Sequence, residues 1–145
     1  MRMAKIVNAE GLVLGRMATV VAKHLLQGEK VEIVNAEKAI ISGSREFLAE
    51  KLRTKIERGP KGNPRKGPKD SRMPDRIVRS AIRNMLPKYS KRGRRALHSL
   101  KVWIGVPKAL EKEKAESIES ARKENIKKSI SVGELAVLCG AKWND

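Results

Sequence analysis

The sequence predicts a single α/β domain built around parallel strands. Three observations carry this. The first 34 residues read as strand, helix, strand, the length of one βαβ unit, which makes the two strands parallel. A further strand-like run, KVWIGV, comes at 101–106, after two more helical patterns. At 145 residues the chain is one domain's worth, 1–145, able to bury about 68–70% of the surface its unfolded form exposes.

Residues 5–8 (KIVN) are short, apolar and β-branched, and read as a strand. A helix is expected from Leu14 to Gln27, where Leu14, Met17, Ala18, Val21 and Leu25 form one apolar stripe. Arg16, Thr19, Lys23 and Gln27 lie on its polar face, and Gly28 suits the left-handed position that ends it. Residues 30–34 (KVEIV) alternate as a second strand, and Ile40-Ile41 suggest a short third one. Ser44 is placed to cap a helix over 45–58, with Leu48, Leu52 and Ile56 on one side and Gly59-Pro60 at its end.

Residues 59–73 (GPKGNPRKGPKDSRM) have almost nothing to bury. They read as an extended basic loop that orders only on a partner. Pro74 fits the first turn of a helix running to Leu86. On it, Arg76, Arg79 and Arg83 fall within about 60° of one another and are expected to form an outward arginine stripe, opposite Ile77, Val78, Ala81, Ile82 and Met85. Alanine at Arg79 and Arg83 is therefore expected to leave stability nearly unchanged. KYSKRGRR (88–95) reads as a basic turn. Residues 108–128 read as a solvated helix or a mobile tail-like segment, and Ser131-x-x-Glu134 as the capping box of a short helix stopped by Gly140.

The charge points to a partner. Lys and Arg number 33 and Asp and Glu 16, a net charge of +17. Residues 51–101 hold 18 of the basic residues and only three acids, so nearly all the excess lies in the middle third. Such a block repels itself unless a polyanion neutralises it. The aromatic residues are Phe47, Tyr89, Trp103 and Trp143, too few for a platform of several rings. Contacts to phosphates and shape on a structured nucleic acid fit better.

The other classes find little support. No apolar run approaches the roughly 18–20 residues of a membrane span, and the start has no long apolar stretch of the secretory kind. The one cysteine, Cys139, rules out an intrachain disulfide and a cysteine-based zinc cluster, and reads as a packing residue. His24 and His98 stand neither in a metal-binding spacing nor beside a nucleophile. GLVLGR (11–16) lacks the tight glycine pair of a dinucleotide site, although the helix start there could hold a phosphate beside Arg16. VNAE occurs at 7–10 and 34–37, each copy at a strand's carboxyl end. Either it lines a ligand crevice there or, more simply, its Asn and Glu tie off the strand ends.

The segments VLGRMATVVAKHLLQGEKVEIVNAEKAIISG (13–43) and MPDRIVRSAIRNMLPKYSKRGRRALHSLKVWIG (73–105) resemble the universal large-subunit ribosomal protein L-thirteen family. The basic loop at 59–73 and SVGELAVLCGAKW near the end are similar to its archaeal branch. Asn84 and Trp103 depart from the family's usual glycine and tyrosine. The resemblance implies a three-layer α/β/α fold with a mainly parallel sheet of about four strands. It implies a non-enzymatic constituent of the cytoplasmic ribosome, without cofactor, metal, membrane or small-molecule substrate. Its partners would be large-subunit ribosomal RNA, whose early assembly it would help, and neighbouring ribosomal proteins.

By motif position, the RNA-facing residues would include Arg16, Arg45, Arg79, Arg83, Lys88, Arg92, Arg94 and Arg95. Charge and placement add Lys23, Arg58, Arg76 and Lys91. The loop adds Lys61, Arg65, Lys66, Lys69 and Arg72. The residues alone leave open a DNA-binding module that uses helix 74–86 as its reading element.

Overall fold

Strand β1 (Lys5–Asn8), helix α1 (Leu14–Leu26) and strand β2 (Val31–Val34) form the expected βαβ unit, with β1 and β2 parallel and Val7 opposite Ile33. The computed structural model describes residues 4–143. The α1 stripe is buried at Leu14, Met17, Ala18, Val21 and Leu25. Gly28 ends the helix at φ +86°, a conformation that costs glycine little. Strand β4 (Leu100–Val102) pairs parallel with β2 on its other side, so the strand order is β1-β2-β4. It is shorter than the apolar run 101–106: Trp103 N still donates to Ile33 O across the ladder, but Gly105 N turns to a Glu37 carboxylate oxygen.

The parallel sheet has three strands rather than the expected four or so, and only an isolated bridge extends it. Glu116 bridges the free edge of β1 in parallel, donating to Ile6 O at 2.9 Å and accepting from Asn8 N at 3.0 Å. Residues 108–128 are therefore not a helix. They run as turns and a 3-10 turn (Glu119–Ala121), pinned by the Glu116 bridge and by fully buried Ala121. The expectation of a solvated helix failed because a few backbone pairs and one small side chain anchor a segment that has no periodic stripe.

The short strand at Ile40-Ile41 exists as β3 (Ile40–Ser42), outside the parallel sheet. It pairs antiparallel with β5 (Ser129–Ser131). Ser131 then caps helix α5 (Val132–Leu138), its Oγ accepting from Glu134 N at 3.2 Å. Helix α2 (Arg45–Glu57) starts at Ser44, whose Oγ accepts from Phe47 N. Leu48 and Leu52 of α2 join Ile130, Leu135 and Leu138 in a small second core.

Helix α3 (Pro74–Met85) buries Val78 and Ile82 against α1. The basic stretch after it is a turn followed by a helix, α4 (Lys91–His98), which charge density hid. Ala96 and Gly93 are its buried residues, and it packs on α1 and β4. The apolar residues of α1, α3 and α4 share one cluster with Val7, Val31, Ile33 and Leu100. Because these helices contact one another and share that cluster, they cover one face of the sheet. The other face carries Ile6, Glu32 and Lys101 in register. There Glu32 accepts from Lys101 Nζ at 3.3 Å and from Trp103 Nε1 at 3.1 Å, which gives the tryptophan a polar anchor.

Candidate nucleic-acid interface

Three ion pairs link acidic and basic side chains among the described residues, Lys5–Glu116, Lys38–Glu10 and Lys101–Glu32, and His24 Nδ1 stands 2.9 Å from a Glu29 carboxylate oxygen. None involves a lysine or arginine between residues 51 and 98, although 17 lie there. Between Arg76 and Leu110 the chain has no acidic residue at all. The middle of the molecule is therefore a strongly cationic surface whose lysines and arginines form no ion pair among the described residues, although Glu57, Asp70 and Asp75 lie in it.

It includes a cleft of about 360 Å³ between the end of α3 and α4, lined by Arg83, Leu86, Pro87, Lys88, Gly93, Arg94 and Leu97. Leu86 is buried and anchors one side. Ser90 caps α4, its Oγ accepting from Arg92 N at 3.1 Å. Gly93 lets α4 close on the turn, since a Cβ there would collide with the Pro87 carbonyl oxygen. The first turn of α4 carries Lys91 and Arg92 and no acid. Cations at the positive end of a helix are unfavourable by themselves and favour an anion beside them.

The three arginines of α3 do not act as one stripe. Arg83 faces the cleft with α4. Arg76, two turns away, lines a groove of about 330 Å³ between α2 and α3 with Lys51, Lys55 and Asp70, over an apolar floor that includes Leu48, Leu52 and Ile77. Arg79 is half-buried and turned inward, donating to Leu100 O at 2.8 Å and Leu97 O at 3.2 Å. It clamps the end of α4 to the start of β4, two segments that leave carbonyls without a helical partner. The expectation that alanine at Arg79 is harmless is corrected accordingly. Arg79→Ala is expected to lower stability by about 1–2 kcal/mol, the partly exposed head group reducing the full value of a charged hydrogen bond. Chemical denaturation of the variant checks this, and an unchanged midpoint and slope would remove the clamp.

Other candidates are placed as follows. Arg16, Lys23, Arg45 and Arg58 are exposed, as are Lys61, Arg65, Lys66, Lys69 and Arg72 of the loop and Lys88, Lys91, Arg94 and Arg95 around α4. Arg92 is exposed but ties α4 to the end of α1, donating to Leu26 O at 3.1 Å. Arg72 lies against the end of α5, with its Nη1 about 3.3 Å from where a Gly140 Cβ would stand. There Arg53 Nη2 donates to Leu138 O at 2.8 Å, so two guanidinium groups meet the negative end of α5.

The loop 59–73 is not extended. Asn63 opens a 3-10 turn (Pro64–Lys66), and Gly67 packs so closely on Gly59 and Pro60 that an added Cβ would come within 2.9 Å of both. The glycines and prolines fold the segment back on itself and leave its cations outside.

Sequence reasoning missed a second cationic hollow of about 450 Å³, where Arg45 meets Lys123, Lys127 and Lys128 with Glu46 alongside. The charge run in 122–128 was visible, but the β3–β5 pairing that brings it to α2 was not. The two VNAE copies tie off strand ends: Asn35 Nδ2 donates to Asn8 Oδ1 at 3.0 Å, and Glu37 accepts from Gly105 N at 3.0 Å. Asn35 holds φ +56°, which asparagine tolerates better than most residues. In the glycine loop before α1, the N–H groups of Gly11, Leu12 and Val13 are spent on Lys38, Ala9 and Ala121 carbonyls. Burial pushes the Cys139 thiol up, against the pull of Arg53 and Arg72, so the thiolate is disfavoured. Among the described residues no three His, Cys, Asp or Glu side chains gather as a metal site, and no helix is long and apolar enough to cross a membrane.

The model of a family described as "Ribosomal protein L13" matches residues 2–109. A protein of Methanosphaera stadtmanae named "Large ribosomal subunit protein uL13" is 45% identical over 142 residues, covering 97% of this chain and 100% of its own. Proteins of the same name from Methanococcus maripaludis and Thermoplasma acidophilum are 42% and 37% identical, over 95% and 91% of this chain and 98% and 95% of theirs.

Proposed function

Because the chain belongs to the ribosomal protein L13 family, whose members are structural and non-enzymatic, we propose that it binds folded large-subunit ribosomal RNA and stabilises it through phosphate contacts. In this reading it sits in the large subunit beside other ribosomal proteins and helps the RNA fold early in assembly. The observation that carries the reading is the cationic surface of residues 51–98, whose lysines and arginines form no ion pair with an acid among the described residues. The α3–α4 cleft, with Arg83, Lys88 and Arg94, supplies a shaped part of that surface.

The DNA-binding alternative needs α3 free to enter a groove. Val78 and Ile82 bury one side of α3, Arg79 is turned to β4, and a folded loop rather than a helix precedes it. Affinity for folded large-subunit rRNA fragments and for duplex DNA, measured at one salt concentration, separates the two. Tighter binding to the RNA is expected, and equal or tighter binding to DNA would overturn the reading. Co-sedimentation with large subunits after a high-salt wash tests the placement.

The loop 59–73 is proposed to gain order on the RNA. Its internal hydrogen bonds are few, chiefly those from Arg65 N and Lys66 N to Asn63, and its charges repel one another. Amide exchange is expected to be fast across the loop in the free protein and slowed on RNA. Strong protection in the free form would count against this.

A further inference from the structure

Tyr89 stands 94% exposed in the turn between α3 and α4. A single exposed aromatic ring is ordinary on a protein surface. Here the setting is not ordinary. Tyr89 stands in the chain between Lys88 and Lys91-Arg92, its neighbour Lys88 lines the cleft with Arg83 and Arg94, and the stretch from 76 to 110 has no acid. We infer that Tyr89 stacks on an unpaired base of the RNA whose phosphates occupy this cleft. The inference rests on the RNA-binding reading and adds to it the kind of nucleotide that binds there.

The turn presents the ring from a fixed base. Leu86 is buried at its start, Ser90 caps α4 at its end, and Gly93 closes the helix onto Pro87. Only the two side-chain torsions of the tyrosine remain to be ordered, a small entropic cost for a large flat surface. The surrounding cations select the occupant. They repel other basic surfaces and hold a phosphodiester, which brings a base within reach of the ring. The bases of a duplex are already stacked on each other, so a lone ring at a cationic cleft suits a nucleotide in a loop, bulge or end. One ring is no platform, so such a site reads the unpaired state rather than a sequence.

The test compares wild type, Tyr89→Ala and Tyr89→Phe on transcribed large-subunit rRNA and on a fully paired RNA duplex, across a range of salt. On the rRNA, Tyr89→Ala is expected to bind about ten- to a hundred-fold more weakly, with Tyr89→Phe close to wild type. The dependence on salt is expected to keep its slope, since stacking releases no counterions. On the duplex all three proteins are expected to bind alike. Equal binding of Tyr89→Ala and wild type to the rRNA, an equal loss on the duplex, or a loss in Tyr89→Phe that matches Tyr89→Ala would each overturn the stacking. If wild type itself does not bind the rRNA, the RNA-binding reading fails and the inference falls with it. Wild-type binding with an unaffected alanine variant rejects the inference alone.

Discussion

Replacing Ile82 with alanine is expected to cost about 2–5 kcal/mol of stability, against less than about 1 kcal/mol for Arg83→Ala one residue on. Ile82 is fully buried on the inner side of α3 in the main core, where α3 packs on α1 and β4. Arg83 is exposed at the cleft and pairs with no acid among the described residues, so its removal costs the fold little. RNA binding is expected to respond in the opposite order. Arg83→Ala loses an arginine that can grip a phosphate through two donors, while Ile82→Ala binds normally wherever it is still folded. Denaturant melts and RNA titrations of the two variants decide it. Easy unfolding of Arg83→Ala with normal RNA affinity would show that the faces of α3 are assigned the wrong way round.

That separation was legible in the sequence for α3 as a whole and illegible for one of its arginines. The period of Val78 and Ile82, Pro74 at the start and Pro87 beyond the end mark the helix and its buried side. Arg79 lies about 60° from Arg76 around the helix, which by angle alone keeps it on the same polar side. It differs because α4 ends and β4 begins beside it, with the Leu97 and Leu100 carbonyls turned toward α3. Nothing within 18 residues of Arg79 in the chain announces those acceptors. An arginine in a basic block therefore reads as a ligand residue until the neighbouring strand is placed.

The same physics divides the remaining elements. α1 was readable because its apolar stripe is long and Gly28 stops it. α4 was not, because a helix of eight residues with four arginines and lysines has too few apolar side chains to show a period. Its buried contacts are Gly93 and Ala96, small residues that carry close approach rather than hydrophobic signal. The β3–β5 pair joins residues 40–42 to 129–131, and a pairing that distant depends on register that the intervening loops do not state. The hollow of Arg45, Lys123, Lys127 and Lys128 depends on that pairing, so it was hidden for the same reason.

Affinity for rRNA is expected to collapse with salt, and the pattern of that collapse assigns the cations. Each phosphate neutralised by Lys or Arg releases condensed counterions, lowering log affinity by roughly 0.7–0.9 per tenfold rise in salt. A protein making about 6–10 such contacts loses about 10³–10⁵ in affinity between roughly 50 and 200 mM salt. The basic residues from 51 to 98, unpaired with acids, are numerous enough to put this chain in that range. Internal ion pairs would have blunted the slope, because a cation that leaves a carboxylate for a phosphate exchanges one partner for another. Arg83→Ala, Lys88→Ala and Arg94→Ala are each expected to flatten the slope by about one phosphate. Arg79→Ala is expected to leave it unchanged, since its guanidinium is committed to the Leu97 and Leu100 carbonyls whether or not RNA is bound. Titrations of these four variants at several salt concentrations provide the check. A nearly flat plot for the wild type would rule out phosphate-dominated binding. A slope that drops for Arg79→Ala as much as for Arg83→Ala would mean that RNA pulls the inner arginine out of its clamp.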